Sequence, residues 1–345
     1  MKSSIHSILA FAALWIFLSP AASGWDYEGH CAVNQLALAS LPTNFPTFAL
    51  TPAARERIAF LAGEADRWRN VPEELSFAHA SNPDHYFDWD LLADFGLTPQ
   101  RLPLFRYDFV AQLALARAAC PARFARLDQL KDKTHTGELL GLLPWAIVEN
   151  QGKLKSGFAY LKTYQAYGGT ADEIANAQAN IVYVMGVMGH YVGDAAQPLH
   201  VTRYHHGWTT TNNPNGFTTN YSFHAWIDGG FFHRTGGIHA ENLAGKIRSA
   251  KILGDPLKSS DLFKQILEYL AGTHQLVEPL YQLEKEQKLS PENPLAGEGR
   301  AFLDEQIIRA GQMLGDLWFS AWQQAAEDNY LREQLQQRQP PAKPQ

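Results

Sequence analysis

Two cysteines in 345 residues, Cys31 and Cys120, are too few for a disulfide framework to be the main source of stability. Whether they pair is open on sequence alone. Basic charge is also scarce: 29 Lys and Arg stand against 35 Asp and Glu, a net charge of -6, with no basic run. That excludes a protein that grips long duplexes by electrostatics, so an anionic substrate would have to be attracted locally. No alternating pattern is strong enough to predict a sheet, and no internal repeat is visible. The apolar run Ile8 to Leu18 is too short to span a bilayer. It follows Lys2 and precedes the small residues Ala22-Ser23-Gly24, which predicts a secretory signal over 1–24, cleaved near Gly24 and Trp25. The mature chain would then be secreted or periplasmic.

What is present is an apolar-rich chain, 46% hydrophobic, able to bury a large core as one all-helical domain over 25–330. Helical patterns run over about 31–41, 52–69, 106–118, 137–165, from 171 onward, 260–287 and 299–326. The last carries Leu303, Ile307, Ala310, Leu314, Leu317, Trp318 and Ala321 on one stripe, which predicts core packing. Residues 91–180 read as scaffold, with Leu143-Pro144-Trp145 lining one wall of a site. Residues 209–220 read as a loop long enough to be functional or mobile. The Gln- and Pro-rich stretch 331–345 reads as a disordered tail.

The chemistry concentrates in Gly189-His190-Tyr191-Val192-Gly193-Asp194-Ala195-Ala196-Gln197-Pro198-Leu199-His200. The preceding residues 181–188 are apolar nearly all round, as in a helix buried in the middle of a bundle. His190 and Asp194, four apart, share a face, and Pro198 stops the helix so that His200 sits on the turn beyond. A buried carboxylate needs a cation or a proton. A metal supplies the first; a hydrogen-bonded core pair of His190 and Asp194 is the plain alternative. His224 and Asp228 repeat the same spacing. Further candidates are Trp25, whose free amine could chelate together with its own carbonyl, and His30 beside it. Asp66 and Arg69 share a helix face, for which a surface ion pair is the plain reading. His85 lies in the aromatic and acidic run Asp84-His85-Tyr86-Phe87-Asp88-Trp89-Asp90, where it could be an ordinary core histidine.

Taken in order, Trp25, His30, Asp66, His85, His190-x3-Asp194-x5-His200 and His224-x3-Asp228 resemble the ligand set of the zinc-dependent superfamily of bacterial phospholipases C and the single-strand-specific nucleases of fungi and plants. The resemblance covers most of 25–325, with a longer stretch between His85 and His190 than the family pattern requires. It implies a compact multi-helix bundle with three zinc ions in a cleft. One would be held by Asp66, His85, His190 and Asp194, a second by Trp25, His30 and a bridging Asp194, and the third by His200, His224 and Asp228. It further implies in-line attack on phosphorus by a zinc-bridging hydroxide, with Asp66, Asp194 and Arg69 as the catalytic set and Arg69 binding a phosphate oxygen.

The short step from Trp25 to His30, the Asp-x-x-Arg of Asp66 and Arg69, and Asp228 in place of a glutamate resemble the nuclease branch. Asp88, three residues after His85, matches a nuclease position near the nucleoside, and Tyr86 could stack on a base. The expected substrate is single-stranded nucleic acid or nucleotides, with no stable protein partner. Against that, His85 to Asp90 resembles the phospholipase version equally well and cysteine is scarce, which leaves phospholipid headgroup esters as the alternative. A non-catalytic zinc-binding module is a third reading, disfavoured because structural zinc sites are closed.

Overall fold

The computed structural model describes residues 25–338 except 72, 125, 126, 129 and 259, so the expected signal over 1–24 and the end of the expected tail lie outside the described residues. Its helices are α1 (Tyr27–Ser40), α2 (Pro52–Leu61), α3 (Glu64–Arg69), α4 (Leu75–Ser81), α5 (Arg106–Ala119), α6 (Leu143–Tyr167) and α7 (Ala171–Asp194). Then come α8 (Phe223–Ala225), α9 (Phe231–Arg234), α10 (Ala240–Leu243), α11 (Asp261–His274), α12 (Val277–Lys285), α13 (Ala296–Gln324) and α14 (Asn329–Arg338). Single 3₁₀ turns punctuate the connections, and no strand occurs among the described residues.

The bundle is assembled around α7. A capping box starts it, Thr170 accepting from the Glu173 amide while the Glu173 carboxylate accepts from the Thr170 amide. From Met185 to its end at Asp194 every residue is buried, against α1, α2, α6 and α13. Each buried Met or Val side chain there contributes about 1.5–3 kcal/mol. Glycine sets how closely the neighbours approach. A Cβ on Gly189 would lie 1.6 Å from Asn34 Oδ1, one on Gly186 2.5 Å from Leu61 Cβ, and one on Gly193 2.7 Å from His30 Nδ1. With those positions bare, α1 lies flush against α7. The Asn34 amide donates to Ile58 O (2.7 Å) and Gly186 O (3.0 Å), tying α1, α2 and α7 together.

The periodicity extends some helices too far. The run 52–69 breaks after Leu61, because Gly63 leaves room for the Tyr27 ring, 2.7 Å from where its Cβ would be. The run 260–287 splits into α11 and α12, since Pro279 in the first turn of α12 has no amide to give and crowds the carbonyl of Gln275. The helix expected from 137 begins at Leu143, with Pro144 in its first turn. The expected stripe on α13 is buried as a whole. The tail is the clearest correction: residues 331–338 belong to α14, which packs on α6. Leu331 and Leu335, one turn apart, are buried, and the Asp328 carboxylate accepts from the Leu331 amide at 2.7 Å. The cysteines are unpaired, and Cys31 donates its thiol to Ala59 O.

Candidate metal centre

Eight of the expected ligand side chains converge, and they arrive from very different backbones. α1 brings His30; α3, reset by the break at Gly63, brings Asp66 and Arg69; the 3₁₀ turn Asn82–His85 brings His85; and α7 brings His190 and Asp194. Their donor atoms form three groups, His30 with His190 and Asp194, Asp66 with His85 and His190, and His200 with His224 and Asp228, each with its atoms within 4.8 Å of one another. Asp194 faces two of them: its Oδ1 lies 3.4 Å from His30 Nε2, its Oδ2 3.0 Å from His85 Nδ1 and 3.4 Å from His190 Nε2. That is the disposition of a bridging carboxylate. Asp66 Oδ1 is 3.6 Å from His190 Nε2 and 3.3 Å from Arg69 Nε.

Outer contacts aim the rings. The broken end of α2 leaves the Ala62 carbonyl without a helical partner, and His190 donates its Nδ1 proton to it at 2.8 Å, turning Nε2 and its lone pair inward. His200 donates Nδ1 to His85 O at 2.5 Å and so presents Nε2. In the third group the backbone passes through a π-helical turn, Trp226–Gly230, between α8 and α9, which sets Asp228 3.3 Å from His224 Nε2. Gln197 donates its amide to Asp228 Oδ1 at 2.6 Å, leaving Oδ2 to the cluster.

Do these residues suit a cation? Sixteen buried side-chain nitrogens and oxygens lack a hydrogen-bond partner among the described residues. Nine belong to His30, Asp66, His85, Asp194, His200, His224 and Asp228. Left unpaired, each of these buried groups would cost about 1–3 kcal/mol, so their concentration in one place points to something that satisfies them. Charge agrees. Burial drives every imidazole down, His30 to about 4 and His85 and His224 well below the ordinary value, so the rings are neutral and can donate lone pairs. Burial pushes the Asp194 and Asp228 carboxyls up, Asp228 most, so both await a positive charge. For Asp66 burial pulls upward, but His190 and Arg69 outweigh it and its carboxyl ends below the usual range. The residues therefore fit a metal in each cluster, and imidazole with carboxylate is a donor set that zinc accepts.

The clusters open into a cleft of about 380 Å³, lined by Arg69, Tyr86 and Asp88 with His85, His200 and His224 at its floor. Burial, reinforced by Asp90, pushes the Asp88 carboxyl up to about 7, and its Oδ1 has no partner. Trp25 is fully buried beside the clusters, its indole donating to Gly193 O at 3.0 Å, and the Asp26 amide donates to Asp228 O at 3.1 Å.

Two parts of the cleft are not foreshadowed by the sequence pattern. Its wall from the long insertion is Gly137 and Leu139, not Leu143-Pro144-Trp145, which is core. Residues 140–143 pair with 83–88 through Leu142 N to Pro83 O and Asp88 N to Leu140 O, and Gly141 (φ +89°) passes so close that a Cβ would sit 1.9 Å from Tyr86 O. The second part is His205 and His206, which also line the cleft. A signal for them exists in the chain: Tyr204-His205-His206-Gly207-Trp208 follows His200 almost at once. No family model matches the chain, and no curated protein matches it.

Proposed function

We propose that the chain is an exported zinc-dependent phosphodiesterase that cuts single-stranded nucleic acid or nucleotides. The observation that carries this reading is the union of three buried His and Asp clusters, two of them sharing His190 and both faced by Asp194, with a cleft lined by Arg69. Zinc held there supplies positive charge for phosphoryl oxygens and lowers the pKa of water toward neutrality. The protein's own groups do the rest. Neutral imidazoles and three carboxylates hold the charge in place; Arg69, oriented by Asp66, binds a phosphate oxygen. The Asp88 carboxyl, protonated up to about pH 7, donates to a ring nitrogen of a base, and Tyr86 stacks on that base. An amine at Trp25, exposed by cleavage before it, completes the group around His30.

The test offers the zinc-loaded mature protein single-stranded RNA, single-stranded DNA and phosphatidylcholine micelles in parallel, each with a chelator control. Chelator-sensitive cleavage of nucleic acid is expected. Release of a phosphorylated headgroup alone would move the protein to the phospholipase reading. Bound zinc with neither activity would leave a binding module and end the proposal. An extension of several residues before Trp25 is expected to remove most activity; equal specific activity with and without it would discard Trp25 as a ligand.

A further inference from the structure

The cleft has a second aromatic wall, which takes no part in the roles assigned to Tyr86 and Asp88. His206 stacks on Tyr221, ring centroids 4.1 Å apart and planes 25° from parallel. Tyr221 is 69% exposed, and His206 lies in the cleft with Nδ1 buried and without a hydrogen-bond partner. The His206 ring also reaches the third cluster, 5.7 Å from the His224 ring, and His205 joins them, 4.6 Å from His206 and 6.2 Å from His224. Tyr86 and Asp88, by contrast, follow His85 of the Asp66 cluster. Ring-bearing residues of both segments, Tyr86 next to His85 and His206 near His224, therefore line the one cleft.

The segments that lead to the two walls are tied to each other. The Phe87 amide donates to His200 O at 2.8 Å and the His200 ring donates to His85 O, so the two segments are laced together between the walls. Asp90 repeats the tie one step further out, accepting from the Thr202 hydroxyl (2.5 Å) and the Arg203 amide (3.0 Å), and His274 holds its other oxygen at 2.7 Å. A ring pair already stacked, with His206 only three residues beyond the braced Arg203, loses little freedom when a further planar group joins it.

We infer that His206 and Tyr221 form a stacking platform for a second base, so that the preferred substrate is a phosphodiester with a nucleoside on each side of the scissile phosphate. The inference rests on the phosphodiesterase reading and sharpens it: cleavage is favoured inside a strand, and a phosphodiester with a small alkyl group on one side is a poor substrate. A phospholipid, with no ring on its diacylglycerol side, leaves the platform empty.

The experiment compares kcat/KM for a dinucleoside phosphate with that for the better of the two matching nucleoside methyl phosphodiesters, on zinc-loaded protein. The wild-type ratio is expected to be about tenfold or more, the scale of one stacked base. His206→Ala and Tyr221→Ala should each bring the ratio toward one with zinc content retained, and Tyr221→Phe, which keeps the ring, should restore it. The affinity for a dinucleoside methylphosphonate, read without turnover, should fall about tenfold in the same two alanine variants. A wild-type ratio near one, or a ratio and an affinity unmoved in both alanine variants, overturns the platform while leaving the phosphodiesterase standing. If neither diester is hydrolysed, the functional reading fails, and the methylphosphonate affinities still decide whether the platform binds a base.

Discussion

The two clusters that flank Asp194 and the cluster of His200, His224 and Asp228 use the same donor chemistry but are built in different ways. In the first region His30, His190 and Asp194 project from long helices, and their meeting is a consequence of how closely α1 can lie on α7. Gly189 and Gly193 set that distance. In the second, His200 sits on a 3₁₀ turn, His224 on the single turn α8 and Asp228 on a π-helical turn, and the aim of His200 and Asp228 comes from individual hydrogen bonds, His200 to His85 O and Gln197 to Asp228. A site held by helix packing should fail with the fold around it. One held by hydrogen-bonded turns should fail alone.

The comparison can be broken most severely at Gly189. A methyl there meets Asn34 Oδ1 at 1.6 Å, so Gly189→Ala must part α1 from α7. We expect about 3 kcal/mol of lost stability, at the upper end for overpacking, with metal lost from both clusters around Asp194. Thermal melting and metal analysis check this, and a variant that melts with the wild type and keeps all its metal would show that helix contact does not set these clusters.

Gln197→Leu is the matching change in the second region. It should weaken metal binding at the third cluster about 10–100-fold. Stability should fall by only about 1–3 kcal/mol, since it also strands the Leu199 amide that Gln197 accepts from. Loss of metal from all three clusters would erase the distinction between the regions.

Acid should separate them as well. Asp228 without metal keeps its proton far above the usual carboxylate range, so metal must displace that proton, and affinity falls about tenfold per pH unit below the raised pKa. At the other two clusters burial raises the Asp194 carboxyl less than that of Asp228, and Asp66, held below the usual range by His190 and Arg69 despite burial, stays ionised. Lowering the pH from 7 to 5 should therefore empty the third cluster first, as followed by metal content after equilibration; simultaneous loss from all three would count against the assigned shifts.

The smallest effect is a control. Gly152 lies inside α6 with nothing within 4 Å of the place a methyl would take, so Gly152→Ala should stabilise by about 0.4–1 kcal/mol and leave metal content unchanged. Its contrast with Gly189→Ala measures close approach alone, apart from the helix propensity of glycine.

The helical class, the buried face of α7 and the stripe on α13 are legible in the sequence because periodicity reports which side of a helix is apolar, and nothing distant is needed to read it. The ligand candidates are legible for a related reason: His-x3-Asp puts two donors on one face whatever surrounds them, and Asp194 on an apolar helix has to find a counter-charge. Helix ends are less so. At Gly63 and Pro279 the pattern of apolar residues continues through a break that packing and a missing amide impose. The helix over 331–338 is hidden because its composition is polar: Leu331 and Leu335 are its buried residues, and the rest of its anchorage is the Asp328 cap and the Arg338–Glu173 ion pair.

What the sequence determined by itself, then, is the set of donors and their local spacing, since both follow from residue type and helical repeat. Which donors meet, that Asp194 faces two groups, that the Ala62 carbonyl turns His190 inward, and that Gly137, Leu139, His205 and His206 wall the cleft were decided only by the tertiary structure. These contacts join residues tens to more than a hundred positions apart, and their distances depend on how closely whole helices pack, which no local pattern encodes.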